Sequence, residues 1–179
     1  RFVALLPIYL QKDFKYYMCK YFLAKENKVS GQDVISNHIN LKYILNTRDF
    51  KKGNAICNRV EKDLMAYKGK LDRDMELENM FMVAKFYFYK HDLKTALNKN
   101  NDVLTHQLIK YRKDLYIYAK LFNLIIHYEM RNMGMMEYLI DAVKKLLKSD
   151  EELYREEIEA VWIIQKMTMF NSSKDNNII

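Results

Sequence analysis

The sequence contains few turn-forming residues and few cysteines. One Pro and four Gly occur in 179 residues, whereas folds built from many short strands need frequent Gly and Pro between them. The two cysteines lack the spacing of a metal site, which indicates a reducing compartment and buried thiols rather than a disulfide framework. No apolar run reaches the ~20 residues that cross a bilayer. We therefore expect a cytoplasmic protein without a β-rich fold, disulfides or a membrane span.

Residues that perform catalysis in recognisable motifs are also scarce. Neither a Gly-rich phosphate-binding loop nor a nucleophile elbow occurs, and none of the four His falls in a metal-binding or catalytic motif. The paired carboxylates of Glu152 and Glu156 lie on a charged helix face, whereas active-site carboxylates need a dry pocket. We expect no catalytic residue, no metal site and no cofactor, and hence a protein that is not an enzyme.

Helix-forming residues dominate what is present. Half of the residues are hydrophobic, and Leu, Lys, Met, Glu and Tyr are common, which favours helices and provides a large core. A chain of this length forms one or two domains. The composition therefore predicts an all-α protein.

The net charge of +7 is concentrated in the first part of the chain. Residues 1–75 contain 15 Lys or Arg and 8 Asp or Glu, whereas residues 76–179 contain 15 of each kind. A basic surface is often simply solvated, but it can also attract an acidic protein, nucleic acid or an anionic lipid surface. Because no run of Lys and Arg exceeds two residues, association with nucleic acid is the alternative hypothesis rather than the leading one.

One short phrase recurs along the chain. It stands at Lys12-Asp13-Phe14-Lys15, Arg48-Asp49-Phe50-Lys51 and His91-Asp92-Leu93-Lys94, with a looser copy at Arg131-Asn132-Met133-Gly134. The acidic or amide positions 13, 49, 92 and 132 are 36, 43 and 40 residues apart. Each copy separates two stretches of helical periodicity, so the repeat is predicted to be a helix-turn-helix unit that packs on its neighbours.

The phrase and the helical patterns divide the chain into units of one continuous domain. Helix pairs are predicted at about residues 1–29, 30–71, 72–112 and 113–148, followed by a capping helix at 149–170 and a flexible tail at 171–179. Since the first unit begins in the second half of a helix, we expect the chain to be part of a longer protein. The apolar surface of this truncated unit could pair with a second copy, so a homodimer is one assembly to consider.

Capping residues and apolar periodicity place the helices of the second unit. Ser30 with Asp33 predicts the start of a helix that ends near Asn46, and its partner runs from Phe50 to Ala66. Gly53, early in the partner helix, predicts a close approach between the two helices because it has no side chain.

Three further predictions concern the later helices. Asp114 is expected to cap a helix that is apolar on nearly every side and therefore lies in the interior of the stack. Bending or fraying can occur at the Asn-rich segment 98–101, where helix propensity is low. In the last helix, capped at Ser149, Trp162 is expected to face the neighbouring helices and Glu157 the solvent.

The third unit resembles a tetratricopeptide repeat, a family in which a small residue, a Tyr three positions later, a Gly-Asp/Asn-aromatic turn and a second small residue follow in this order. The matching residues are Ala84, Tyr87, His91-Asp92-Leu93 and Ala96. The other units match in part, and the intervals exceed the ~34 residues of the standard repeat. The resemblance covers about residues 1–170. The stretch from Leu115 to Glu129 additionally resembles a segment of uncharacterised bacterial helical-repeat proteins, which implies a bacterial origin.

The resemblance also implies an overall shape and a function. It predicts a right-handed α-α superhelix of about four units, whose first helices line a concave groove, and a scaffold role in which a peptide or protein segment binds there. The residues that would face the groove are His38, Lys42, Asn46, Phe81, Lys85, Tyr89, Leu121 and Tyr128. Lys42 and Lys85 take equivalent places in adjacent units, so this pair is expected to accept a carboxylate or an acidic peptide.

Overall fold

The part of the chain that the structure describes is entirely helical. The structure, a computed structural model, describes residues 31–148 and 154–175, with side chains for 33–148 and 154–169. The helices in these ranges are α1 Gly31–Thr47, α2 Phe50–Ala66, α3 Arg73–Tyr89, α4 Leu93–Thr105, a short 3-10 helix Ile109–Tyr111, α5 Lys113–Glu129, α6 Met133–Leu147 and α7 Arg155–Asp175. No strand occurs among them, so the predicted all-α class is confirmed for these ranges. In the same ranges, no helix combines the length and the apolar character needed to cross a bilayer.

Helix ends in the middle of the chain lie where short polar side chains cap them. α2 covers Phe50–Ala66 as predicted, and a carboxylate oxygen of Asp49 accepts a hydrogen bond from the backbone N–H of Lys52 at 3.4 Å. Asp92 caps α4 in the same way, accepting from the backbone N–H of Thr95 at 3.1 Å. An Asp at this position satisfies an amide that has no partner inside the helix. The sequence therefore predicts these helix starts well.

The predicted cap of α5 is wrong, and the fraying considered for α4 is not observed. Asp114 lies inside the first turn of α5, and Arg112 occupies the N-cap position. Burial raises the pKa of Asp114, but the guanidinium of Arg112, with Nη2 2.7 Å from Oδ2, and nearby backbone amides lower it below its ordinary value. α4 continues through the Asn-rich segment. There the amide nitrogen of Asn100 donates to the carbonyl of Ala119 in α5 at 2.9 Å, which offsets the low helix propensity.

The last helix differs from its prediction in extent and in orientation. α7 ends at Asp175, so residues 171–175, which the sequence assigns to a polar tail, are helical. Glu157, Val161 and Ile164 share one face of α7 and are buried. Trp162 lies about 100° around the helix from Val161 and is 57% exposed. The predicted orientations of Trp162 and Glu157 are therefore wrong, because the buried face follows Val161 and Ile164.

Some predictions fall on residues outside the described ranges. These are the helix pair at 1–29 with its copy of the recurring phrase, the helix caps at Ser30 and Ser149, and the end of the tail at 176–179. They stay predictions.

The recurring phrase corresponds to a recurring backbone turn. The residue before the N-cap position has a left-handed conformation in all three described copies, with φ of 58° at Arg48, 61° at His91 and 57° at Arg131. In two of these turns, the backbone N–H of the N-cap residue donates to the carbonyl five residues earlier. Asp92 donates to Tyr87 and Asn132 to His127, both at 3.0 Å. This bond ends one helix while the following Asp or Asn begins the next. The spacing of the phrase is thus explained by turn geometry.

The chain divides into two compact units, which are larger than the predicted helix pairs. The first compact unit ends at Phe86 and the second begins at Tyr87. From here on, first unit and second unit mean these two compact units. In the first unit, α1 packs against α2. A Cβ atom at Gly53 of α2 would lie 2.7 Å from Cγ2 of Ile44 in α1 and 2.6 Å from Cε2 of Phe86 in α3. The ring of Phe86 also packs edge-on against Phe50, with centroids 5.9 Å apart. The close approach predicted at Gly53 is confirmed.

In the second unit, α5 is the central helix. It packs against α4, α6 and α7, and α6 packs in turn against α7. The prediction of an interior helix covered on several faces is therefore confirmed. The buried residues of the core that these helices share are Ile117, Leu121, Leu124, Met136, Ile140, Val143, Leu147, Val161 and Ile164.

Candidate functional site

A buried hydrogen bond joins two polar residues that interrupt apolar helix faces in the first unit. His38 follows Val34 by four residues on α1, and Asn79 follows Met75 by four residues on α3, so each lies on a buried face. The exposed fractions of His38 and Asn79 are 0% and 1%. Nδ1 of His38 lies 2.8 Å from Oδ1 of Asn79, which fits a tautomer whose Nδ1–H donates to the amide oxygen. The bond holds α1 against α3 at this level.

Charged side chains extend this pair into a polar cluster, which consists of His38, Lys42, Glu78, Asn79 and Lys85. Oε2 of Glu78 is 4.0 Å from Nε2 of His38. Lys42 follows His38 by one turn of α1 and is buried. Lys85 of α3 is half-buried, and its Nζ lies 5.1 Å from the ring centroid of Phe81. The cluster therefore brings two amino groups and one carboxylate into a region with little water.

Burial and two neighbouring charges act on the amino group of Lys85 in the polar cluster. Burial lowers the pKa of Lys85 most, the charge of Lys42 lowers it further, and the carboxylate of Glu78 raises it, which leaves the pKa at about 8 instead of 10.5. Such a shift means that the charged form of Lys85 is poorly solvated and repelled by Lys42. An anion placed beside both amino groups would remove that repulsion.

The residues predicted to line a groove differ in exposure. In the first unit, His38 and Lys42 are buried, Phe81 and Lys85 are half-buried, and Asn46 is exposed. In the second unit, Tyr89 and Tyr128 are half-buried, whereas Leu121 belongs to the hydrophobic core. Direct contact of a ligand with His38, which is 0% exposed, would therefore require a different conformation, whereas Lys42 and Leu121 keep 9% and 8% of their surface exposed. Of the predicted set, Lys85 lies over the ring of Phe81, and the charge of Lys42 acts on it.

Sequence reasoning missed the partners that hold the polar cluster in place. Glu78 and Asn79, which belong to the polar cluster, were not predicted as site residues. A separate bond between α1 and α2 was not predicted either: Nδ2 of Asn37 donates to Oδ2 of Asp63 at 2.8 Å. A signal existed for Asn79, because an Asn inside an otherwise apolar helix face needs a buried partner. Which residue supplies that partner depends on tertiary packing.

A second buried histidine lies in the other unit, at the joint between α5 and α6. Nδ2 of Asn132 is 3.1 Å from Nδ1 of His127, and the backbone N–H of Asn132 donates to the carbonyl of His127 at 3.0 Å. Burial lowers the pKa of His127 below its ordinary value, which favours a neutral ring that accepts from the amide. Within the described ranges, no group of three or more His, Cys, Asp or Glu side chains is arranged to hold a metal ion.

Comparison of the chain with protein-family models, with curated proteins and with solved structures gives no match in any of the three. The functional argument therefore rests on the geometry of the two units and on the sequence pattern.

Proposed function

We propose that the chain is a divergent tetratricopeptide-like helical repeat that binds an acidic peptide or protein segment and performs no catalysis. The support from the fold is the order of packing in the second unit, where α5, the first helix of a predicted pair, packs against its partner α6 and against α7, the first helix of the following element. In each described pair, the turn between the two helices contains one residue with a positive φ, at Arg48, His91 or Arg131. Such arrays serve as scaffolds because their first helices present a continuous surface.

The observation that carries the proposal is that the charge of Lys42 on α1 acts on the amino group of Lys85 on α3. Their mutual repulsion contributes to the lowered pKa of Lys85, and a carboxylate between them would receive charge-assisted hydrogen bonds from both. The ring of Phe81 beside Lys85 offers an apolar surface for the rest of a bound segment. The acidic side chain of a ligand would therefore be the recognised feature.

The test is a binding measurement with a defined acidic probe. A fluorescein-labelled hexaglutamate peptide is titrated with the protein at low ionic strength, and fluorescence anisotropy gives the dissociation constant. Replacing Lys42 and Lys85 by Gln should weaken binding roughly tenfold or more, given the ~1.5–3 kcal/mol of a hydrogen bond to a charged group. The same peptide with Gln in place of Glu should bind much more weakly to the unaltered protein.

The matched control removes two lysines that lie elsewhere. Lys68 and Lys70 follow α2 in the same unit and are both exposed, so Lys68→Gln with Lys70→Gln lowers the net charge by the same amount. This control should retain binding. Equal loss in both double variants would mean that only net charge matters, and the absence of any binding to hexaglutamate would contradict the proposed ligand class.

The alternative function is association with nucleic acid. Between residues 48 and 70 the chain carries seven Lys or Arg, all exposed, and three Asp or Glu. Such a surface can contact phosphates, and its affinity then falls steeply as salt rises. Gel retardation of a single-stranded RNA should occur at low salt and weaken when Arg59 and Lys62 are replaced by Glu. Unretarded RNA at low salt would rule out this alternative.

A further inference from the structure

The outer face of α7 carries two large apolar side chains that are mostly in solvent. Trp162 and Met169 are 57% and 55% exposed, and their spacing of seven residues places them on the same side of the helix. The opposite side, with Val161 and Ile164, packs on α5 and α6. An amphipathic helix that packs on a core turns its apolar residues inward and its charged residues outward, so the outer face of α7 departs from this pattern.

Charged side chains flank Trp162 on the same face in a defined order. Glu159 lies three residues before Trp162 and Lys166 four residues after it, and both are exposed. Nζ of Lys166 is 5.5 Å from the ring centroid of Trp162, and Oε1 of Glu159 is 4.0 Å from Nε of Arg155. Helical geometry places these exposed residues within about 80° of arc. The α7 stripe consists of Arg155, Glu159, Trp162, Lys166 and Met169.

The order of charges in the α7 stripe is complementary to itself when two copies of the helix run antiparallel. Glu159 and Lys166 lie at equal distances from a point between residues 162 and 163. A two-fold axis through that point therefore sets Glu159 of each copy opposite Lys166 of the other, with the two Trp162 side chains at the centre. A parallel pair would instead set like charges opposite each other, which is unfavourable. The antiparallel contact is isologous and closes after two copies.

We propose that the α7 stripe is a self-association surface through which two copies of the chain form an antiparallel dimer. Burial of the exposed parts of Trp162 and Met169 drives the association, and the pairs of Glu159 with Lys166 set its direction. A single helix face is smaller than the roughly 800 Å² per partner of a standard interface, so the dimer is weak. The surface lies in the second unit, and the inference does not depend on the proposed peptide binding.

The experiment uses Trp162 as its own probe, because it is the only tryptophan of the chain. Front-face fluorescence spectra are recorded from about 1 to about 300 μM protein, a range suited to a micromolar dissociation constant, and sedimentation equilibrium gives the mass. The emission should shift to shorter wavelength in step with a rise from monomer to dimer mass, since Trp162 leaves water. A monomer mass throughout, or a dimer with unchanged emission, would overturn the proposal.

Substitution of Trp162 tests its central place in the contact. Trp162→Gln should weaken dimerisation at least ~10-fold by sedimentation, as expected for a buried aromatic anchor. The matched control is Tyr138→Gln, which removes an aromatic side chain that is also exposed, on α6. This control should leave the dimer unchanged. Equal loss in both variants would mean that general surface hydrophobicity, and not the α7 stripe, drives association.

Charge reversal tests the antiparallel direction. Glu159→Lys and Lys166→Glu should each weaken the dimer at least ~3-fold, because each sets like charges opposite one another twice. Lys166→Glu lowers the net charge of +7 by two, which alone would favour association. The variant with both changes restores opposite charges across the contact and should regain the original affinity within ~2-fold. Single variants that dimerise normally, or a double variant as weak as the singles, would refute the antiparallel contact, and circular dichroism checks that all three remain folded.

Discussion

Replacing Gly53 by Ala tests how tightly the first unit is packed. The added Cβ would meet Phe86 at 2.6 Å and Ile44 at 2.7 Å, about 1 Å closer than the ~3.5–4.0 Å at which carbon atoms attract one another. Both neighbours are buried, so neither can move into solvent. Overpacking of this kind costs ~1–3 kcal/mol, while Ala gains up to ~1 kcal/mol over Gly through helix propensity.

Gly134→Ala provides the matched control. Gly134 lies in the first turn of α6, and a Cβ there would have no neighbour within 4 Å. Both changes share the gain in helix propensity, so the difference between the two variants gives the overpacking cost at Gly53. Urea denaturation followed by circular dichroism should give a free energy of unfolding ~1–3 kcal/mol lower for Gly53→Ala than for Gly134→Ala.

A double variant identifies the atoms responsible. In a protein that already carries Ile44→Ala, the Cγ2 atom that lies 2.7 Å from the new Cβ is absent, so Gly53→Ala should cost less than it does alone. If Gly53→Ala stabilised the protein as much as Gly134→Ala does, α1, α2 and α3 could not approach as closely as described.

Three other predictions follow from the joints and the buried polar groups. His91→Gly and Arg131→Gly should each raise the free energy of unfolding by up to ~1 kcal/mol, because Gly adopts positive φ without strain; lower melting temperatures for both would contradict this. Asn79→Ala should cost ~1–3 kcal/mol through loss of a buried hydrogen bond, and His38→Leu with Asn79→Leu should cost less than the sum of the single changes, as measured by urea denaturation. The pKa of His127 is lowered in the folded protein, so the unfolded chain binds the proton more tightly and stability should fall as pH drops below ~6.5; His127→Gln should remove this part of the pH dependence in thermal melts.

Local signals in the sequence account for the helices and their joints. Asp49 and Asp92 begin helices through side-chain bonds to nearby amides, so the phrase that contains them predicts both turns. Gly53 also predicts a close helix contact from the local sequence alone, because a residue without a side chain lets a neighbouring helix approach its backbone. The central place of α5 also follows from its own composition, since a helix that is apolar all round must be covered.

Features that depend on tertiary partners were harder to predict. The orientation of α7 is set by which face buries Val161 and Ile164 against α5 and α6, and the pattern of charges alone misplaced Trp162 and Glu157. The polar cluster forms only because one face of α1 packs against one face of α3. That packing cannot be read from any short segment of the sequence. The pairing of Lys42 with Lys85 came from the repeat register, and it stays a prediction; the structure adds only that the charge of Lys42 acts on Lys85.

The bond between His38 and Asn79 has a consequence for how this protein can change over evolutionary time. Both side chains are buried, and replacing one partner alone removes the hydrogen bond that the buried polar atom of the other now makes. Viable lineages should therefore exchange both together, for two aliphatic residues or for another donor with its acceptor. A set of descendants in which the two positions drift independently would indicate that the two helices had separated there.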